Sequence, residues 1–178
     1  SENQSLNPKN IYGLSKQMNE QIASMYSKFF DLKCIGLRFF TIYGEWGRPD
    51  MFLFKLFKAS QQNKKFYLNN YGNHKRDFTY VKDAVKIVLK LVNYKIVNNE
   101  IFNICSNKPI KILDIIKYFK KKNNVKVKLI EMHRADVKDT HGDNKKIKKA
   151  LKRIKFSKFY RCLETTYEWY KKNNISKI

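Results

Sequence analysis

The sequence predicts an α/β fold, and three observations carry the prediction. Short apolar runs that read as strands alternate with stretches whose apolar residues recur every three or four positions. Apolar residues make up 43% of the 178, enough to bury a core and too many for a disordered chain. Turn-rich clusters separate these segments, notably Tyr43-Gly44-Glu45-Trp46-Gly47-Arg48-Pro49 and Asn69-Asn70-Tyr71-Gly72-Asn73.

The elements follow in order. The first is a helix expected to be capped by Asn7, with Pro8 in its first turn and a stripe of Leu14, Met18, Ile22, Met25 and Phe29. Residues 33–40 are short and mostly apolar and read as a buried strand. A helix over 51–62 and a strand over 66–68 come next. The clearest helix puts Val81, Ala84, Val85, Val88, Leu91 and Val92 on one face and Lys82, Lys86 and Lys90 on another. A strand over 101–104 leads to a helix with Ile112, Ile115, Ile116 and Phe119 on one side. A strand over 125–130 and helices near 144–151 and 160–172 close the chain. The lysine runs at 120–122 and 145–149 read as solvated helix faces.

Composition narrows the function. No run approaches the roughly 18 apolar residues of a membrane span, and the first residues lack the pattern of a signal peptide. A cytoplasmic protein without membrane insertion is expected. Cys34, Cys105 and Cys162 lie far apart, and His74, His133 and His141 form no helical pair, so neither a disulfide framework nor a metal site is predicted. The net charge of +23 invites a nucleic-acid reading. However, 32 of the 38 basic residues are lysine and only six are arginine. That bias fits a coding sequence rich in A and T, and nucleic-acid readers lean on arginine. No nucleic-acid partner is predicted; a positive field also suits a pyrophosphate ligand.

Tyr12-Gly13-Leu14-Ser15-Lys16 is a Y-x-x-x-K pattern inside the first helix. Residues four apart share a helical face, with Cβ atoms about 5–6 Å apart. An ammonium at that distance favours a phenolate, which lets a tyrosine act as a base near neutral pH. Further along stand Gly36-Leu37-Arg38-Phe39-Phe40-Thr41-Ile42-Tyr43-Gly44, then Gly47-Arg48-Pro49-Asp50-Met51, then Lys75-Arg76-Asp77-Phe78-Thr79-Tyr80-Val81. Asp136-Val137 and Glu168-Trp169-Tyr170 follow. In this ordered set the chain resembles the extended short-chain dehydrogenase/reductase family, and within it the UDP-glucuronate 4-epimerase branch.

The resemblance implies the C-terminal part of a Rossmann-type NAD-binding fold plus the smaller substrate-binding domain. Residues 1–45 would end the Rossmann domain. Residues 46–178 would bind mainly the nucleotide sugar, with 75–105 returning to the Rossmann core. It also implies NAD as cofactor, a UDP-sugar as substrate and a homodimer in the intact protein. Tyr12 would take the proton of the sugar 4-hydroxyl, and Lys16 would hydrogen-bond the nicotinamide ribose. A 4-keto sugar would be re-reduced on its other face, with inversion at C4 and no net redox change. Thr41 would sit by the sugar carboxylate, Arg48 would meet phosphate or carboxylate, Arg76 the pyrophosphate, and Lys55 would add charge near the nucleotide. Such a product would feed surface polysaccharide synthesis.

The pattern also departs from the family. No G-x-G-x-x-G turn occurs, and the acidic ribose-binding residue and the upstream catalytic Ser or Thr are missing. The expectation is therefore a fragment that is inactive alone. Glu45 replaces a usual proline, Lys82 stands where an acidic residue is common, and His133-Arg134-Ala135-Asp136 carries its arginine one place late. The alternatives within the family are a UDP-glucose or UDP-galactose epimerase and a dehydratase; outside it stand a non-catalytic remnant and, more weakly, a basic nucleic-acid-binding module.

Overall fold

The computed structural model describes residues 1–131 and 138–175, and His133 through Val137 lie outside these. The first helix, α1, spans Ile11–Phe30. Its cap is Asn10 and not Asn7, because the Asn10 side-chain oxygen, on extended backbone, accepts the Gly13 amide at 2.8 Å. Strands β1 (Ile35–Phe39) and β2 (Thr41–Tyr43) form one ribbon that changes partner at Phe40. Next come α2 (Phe52–Gln61), β3 (Lys65–Leu68), a 3-10 turn (Asn69–Gly72), β4 (Lys75–Tyr80) and α3 (Val81–Val92). Strands β5 (Glu100–Ile104) and β6 (Pro109–Lys111) precede α4 (Ile112–Lys120). The chain closes with β7 (Lys126–Leu129), α5 (Lys145–Ala150) and α6 (Phe159–Lys172).

Three pairings are parallel: β1 with β5, β2 with β4, and β3 with β7. Strand β6 adds antiparallel to β4. Parallel pairs need helical crossovers, which explains the alternation seen in the sequence. Residues 33–40 form a shorter and less buried strand than expected: β1 is half-buried and, among the described residues, pairs with β5 in a two-stranded sheet. Strands β2, β4 and β6 were not anticipated. Strand β4 is buried from Asp77 to Tyr80, so it shows no two-residue alternation, and β6 is only three residues long.

Two apolar clusters hold the chain together. The larger is aromatic: Phe57 of α2 meets Phe119 of α4 and Tyr167 of α6, with ring centroids 5.6 and 4.9 Å away. The smaller joins α3, β5 and α5 through Ala84, Ile87, Leu91, Phe102, Ile104 and Ile147. The inward face of α3 is therefore rotated from expectation. Ile87 is buried, whereas Val85 and Val92 are exposed. Asp83 shares that inward side, where its buried carboxylate accepts the Ser157 amide and hydroxyl at 2.7 and 3.0 Å. No helix among the described residues is long and apolar enough to cross a membrane.

Candidate functional site

The site begins on α1. That helix buries none of its residues. It is tied to β1 by a bidentate ion pair, the Arg38 guanidinium donating to both Glu20 oxygens at 2.7 Å. Tyr12 and Lys16 lie on one face near its start. Tyr12 is 71% exposed, and the Lys16 Nζ stands 5.5 Å from its ring centroid. The phenol is therefore open to a ligand, with a cation one helical turn away.

A short run of charges leads from the loop after β2 toward β4. The Arg48 guanidinium donates to both Asp50 oxygens, at 2.9 and 2.5 Å. This fork pulls the Asp50 carboxyl below the usual carboxylate range, with a smaller push in the same direction from Lys55. Asp50 in turn raises the Arg48 guanidinium above its ordinary value, through the same hydrogen bonds and its charge. Asp50 also lines a cavity of about 220 Å³ together with Lys55, Asn69, His74 and Arg76. Lys55 and Arg76 thus meet at one concavity, although 21 positions separate them in the chain. Arg76 is oriented by donation to the carbonyls of Lys75 and Lys138, at 2.9 and 2.7 Å.

Thr41 sits elsewhere. It opens β2 and lines a small cleft of about 30 Å³ with Gly47, Met51 and Phe78. Phe52 lines both this cleft and the basic cavity, which makes the two neighbours. The segment 75–81 mixes two roles. Arg76 faces the cavity, whereas Asp77 is fully buried, accepting the Ser106 hydroxyl at 2.7 Å and the Gly142 amide at 3.1 Å. Asp77 therefore ties three segments together. Cys105 lies nearby, where burial pushes its thiol up to about 12, so it is inert as a nucleophile.

The loop between β2 and α2 carries Arg48 and holds what the sequence alone did not reveal. Glu45 is almost buried; its carboxylate accepts the Tyr80 hydroxyl at 3.0 and 2.9 Å and pairs with the Lys82 Nζ at 2.7 Å. The two departures at positions 45 and 82 are thus one interaction. Burial pushes the Glu45 carboxyl up, but the Lys82 ammonium, the Glu45 backbone and the Tyr80 hydroxyl together bring it below the ordinary glutamate value. Trp46 adopts φ 60, an unusual conformation for a bulky residue. Asp50 was visible only as part of the Gly47–Met51 motif; no local signal gave its place on the cavity wall.

An exposed tyrosine–lysine helix beside a parallel-stranded core and a basic cavity defines an α/β protein of the short-chain dehydrogenase/reductase type. Similarity to known proteins agrees. Residues 1–105 match the NAD dependent epimerase/dehydratase family. The chain is 34% identical over 154 residues to UDP-glucuronate 4-epimerase 4 of Arabidopsis thaliana, covering 76% of this chain and 35% of that protein. It is 32% identical over 169 residues to a UDP-glucuronate 4-epimerase of Thermodesulfobacterium geofontis, covering 93% and 52%. The structure of UDP-glucuronic acid 4-epimerase from Bacillus cereus with UDP-glucuronic acid and NAD aligns with a TM-score of 0.91 at 28% identity, over 97% of this chain and 56% of that one. The chain belongs to the NAD-dependent epimerase/dehydratase family. It spans about half the length, or less, of these curated relatives.

Proposed function

We propose that these 178 residues supply the tyrosine–lysine pair and the nucleotide-sugar site of an NAD-dependent sugar-nucleotide 4-epimerase acting on UDP-glucuronate. The observation that carries this reading is the presence, in one chain, of an open Tyr12–Lys16 face and a basic cavity that Lys55 and Arg76 share. A nucleotide diphosphate sugar has the matching layout: a hydroxyl to be deprotonated, a sugar carboxylate and a pyrophosphate. The names of the relatives support the same substrate.

The residues present fit one end of the cofactor. Tyr12 and Lys16 offer a hydroxyl and an ammonium on an open helix face, suited to the nicotinamide ribose. No glycine-rich turn in these residues offers a pyrophosphate cradle. When bound, NAD supplies reversible hydride acceptance at C4. Tyr12 removes the proton of the sugar 4-hydroxyl at its phenolic oxygen and later returns it. Lys16 would hydrogen-bond the nicotinamide ribose. Arg48 takes an oxygen of the sugar carboxylate as its fork opens from Asp50, and Thr41 contacts the same carboxylate. Lys55 and Arg76 neutralise the pyrophosphate.

The chain alone is expected to bind UDP-glucuronate without turning it over. Calorimetric titration tests this. Arg76→Ala should weaken binding about 10- to 50-fold, as expected for loss of a charge-assisted contact; unchanged affinity sinks the placement of the pyrophosphate. Thr41→Asn should shift preference from UDP-glucuronate toward UDP-glucose, and an unaltered ratio removes Thr41 from the site.

A further inference from the structure

The loop bearing Arg48 is fixed firmly at some points and held lightly at one. Glu45 is pinned by Tyr80 and Lys82. Gly47 lies so close to Phe54 that a Cβ there would come within 2.8 Å of its ring. Between them Trp46 sits in the left-handed region at φ 60, and 80% of it is exposed. Its indole meets Trp169 of α6, ring centroids 5.1 Å apart and planes at 62°. Under this pair lies an apolar cavity of about 170 Å³ lined by Trp46, Pro49, Phe54, Trp169 and Tyr170. An unfavourable backbone conformation persists only where its surroundings hold it. Here the Trp46 indole is seated on Trp169 beside that cavity, while the neighbouring Gly47 is packed against Phe54.

We propose that Trp169 is a positioning residue: by seating Trp46 it holds the Arg48 end of the loop in place, so that a ligand anion need only exchange with Asp50 for the guanidinium. The proposal rests on the reading of Arg48 as a nucleotide-sugar contact. The geometry favours such an exchange. Two N–H groups of Arg48 are engaged by Asp50, and Asp50 also lines the cavity. With the backbone held, only side chains reorganise on binding. With Trp46 released, the ordering of the loop is charged against affinity. Trp169 thereby couples the closing helix to the loop that carries Arg48.

Two measurements test this. The first needs no ligand. The Gly47 amide donates to Gly44 and the Met51 amide to Arg48, at 3.3 and 3.1 Å, so hydrogen exchange can follow both. In Trp169→Ala, exchange at these two amides should rise about tenfold, while the α6 and β4 amides keep their protection. Trp169→Phe, which retains an aromatic seat, should restore slow exchange. Trp46→Gly serves as a second variant: it removes the indole and leaves a residue at ease at φ 60, and it too should speed Met51. Unchanged loop exchange in both Trp169→Ala and Trp46→Gly overturns the proposal.

The second measurement is binding. Trp169→Ala should weaken UDP-glucuronate about tenfold and leave UDP itself within about twofold, a split that general loosening of the fold would not produce. Equal losses for both ligands overturn the positioning role. If the unmodified chain binds neither UDP nor UDP-glucuronate, the substrate reading falls, and the seating of the loop is decided by exchange alone.

Discussion

Helices α1 and α4 carry the same kind of message in sequence and meet different fates in the structure. Both repeat apolar residues at helical spacing. In α4, Ile112, Ile115, Ile116 and Phe119 are buried against the aromatic rings of α2 and α6. In α1, Leu14, Met18, Ile22, Met25 and Phe29 remain about half exposed or more, and the helix is tied down by the polar pair of Glu20 and Arg38. Periodicity states which side of a helix is apolar; it does not state what lies opposite. The helix with the least packing is also the one that presents Tyr12 and Lys16. Chemistry is thus displayed on a lightly anchored element beside a heavily packed one.

The largest expected effect lies in the packed region. Phe57 is fully buried and touches rings of both α4 and α6. Phe57→Ala should cost about 3–5 kcal/mol, through lost burial and the cavity left behind. Urea denaturation of the chain measures this. A loss under about 1 kcal/mol would mean that the aromatic cluster does not hold this half of the fold.

That contrast also marks where the sequence was legible. Helices α2, α4 and α6 and strand β3 fall close to expectation, because their period and turn residues are local signals. The Tyr12–Lys16 face was legible for the same reason. Strand β4 was hidden: its inner residues are buried on both faces, and buried Asp77 answers to Ser106 and Gly142, far away in sequence. The burial of Asp83 on α3 was hidden likewise, since its partner Ser157 lies 74 positions away. The shared cavity of Lys55 and Arg76 and the meeting of Glu45 with Lys82 are products of tertiary packing, which no spacing rule encodes.

An intermediate effect is expected at the joint between the regions. Glu45→Gln removes the ion pair with Lys82 and weakens the bond from Tyr80. Because Lys82 is largely exposed, the cost is discounted to about 1 kcal/mol. The pH dependence has a definite sign. Glu45 is held below its ordinary value when folded. Its stabilisation is therefore full above about pH 4.3, the unfolded glutamate value, and is lost as pH falls through the lowered folded value. Acid titrations of the unmodified chain and of Glu45→Gln should converge in that window. Parallel curves down to pH 2 would remove Glu45 from the account.

The smallest effect should come from the α1 stripe, and it tests the comparison most directly. Ile22 is 53% exposed, so Ile22→Ser removes little burial within the chain and should change stability by less than about 0.5 kcal/mol. The same substitution should lower the chain's tendency to self-associate, because the stripe is a contiguous apolar face. Denaturation midpoints and light scattering, read together, separate the two effects. A loss above about 2 kcal/mol would show that Ile22 is buried in solution, and a midpoint that rises with protein concentration would identify a second copy of the chain as the cover. The contrast between α1 and α4 would then lie in which surface covers each helix, within one chain for α4 and between two for α1.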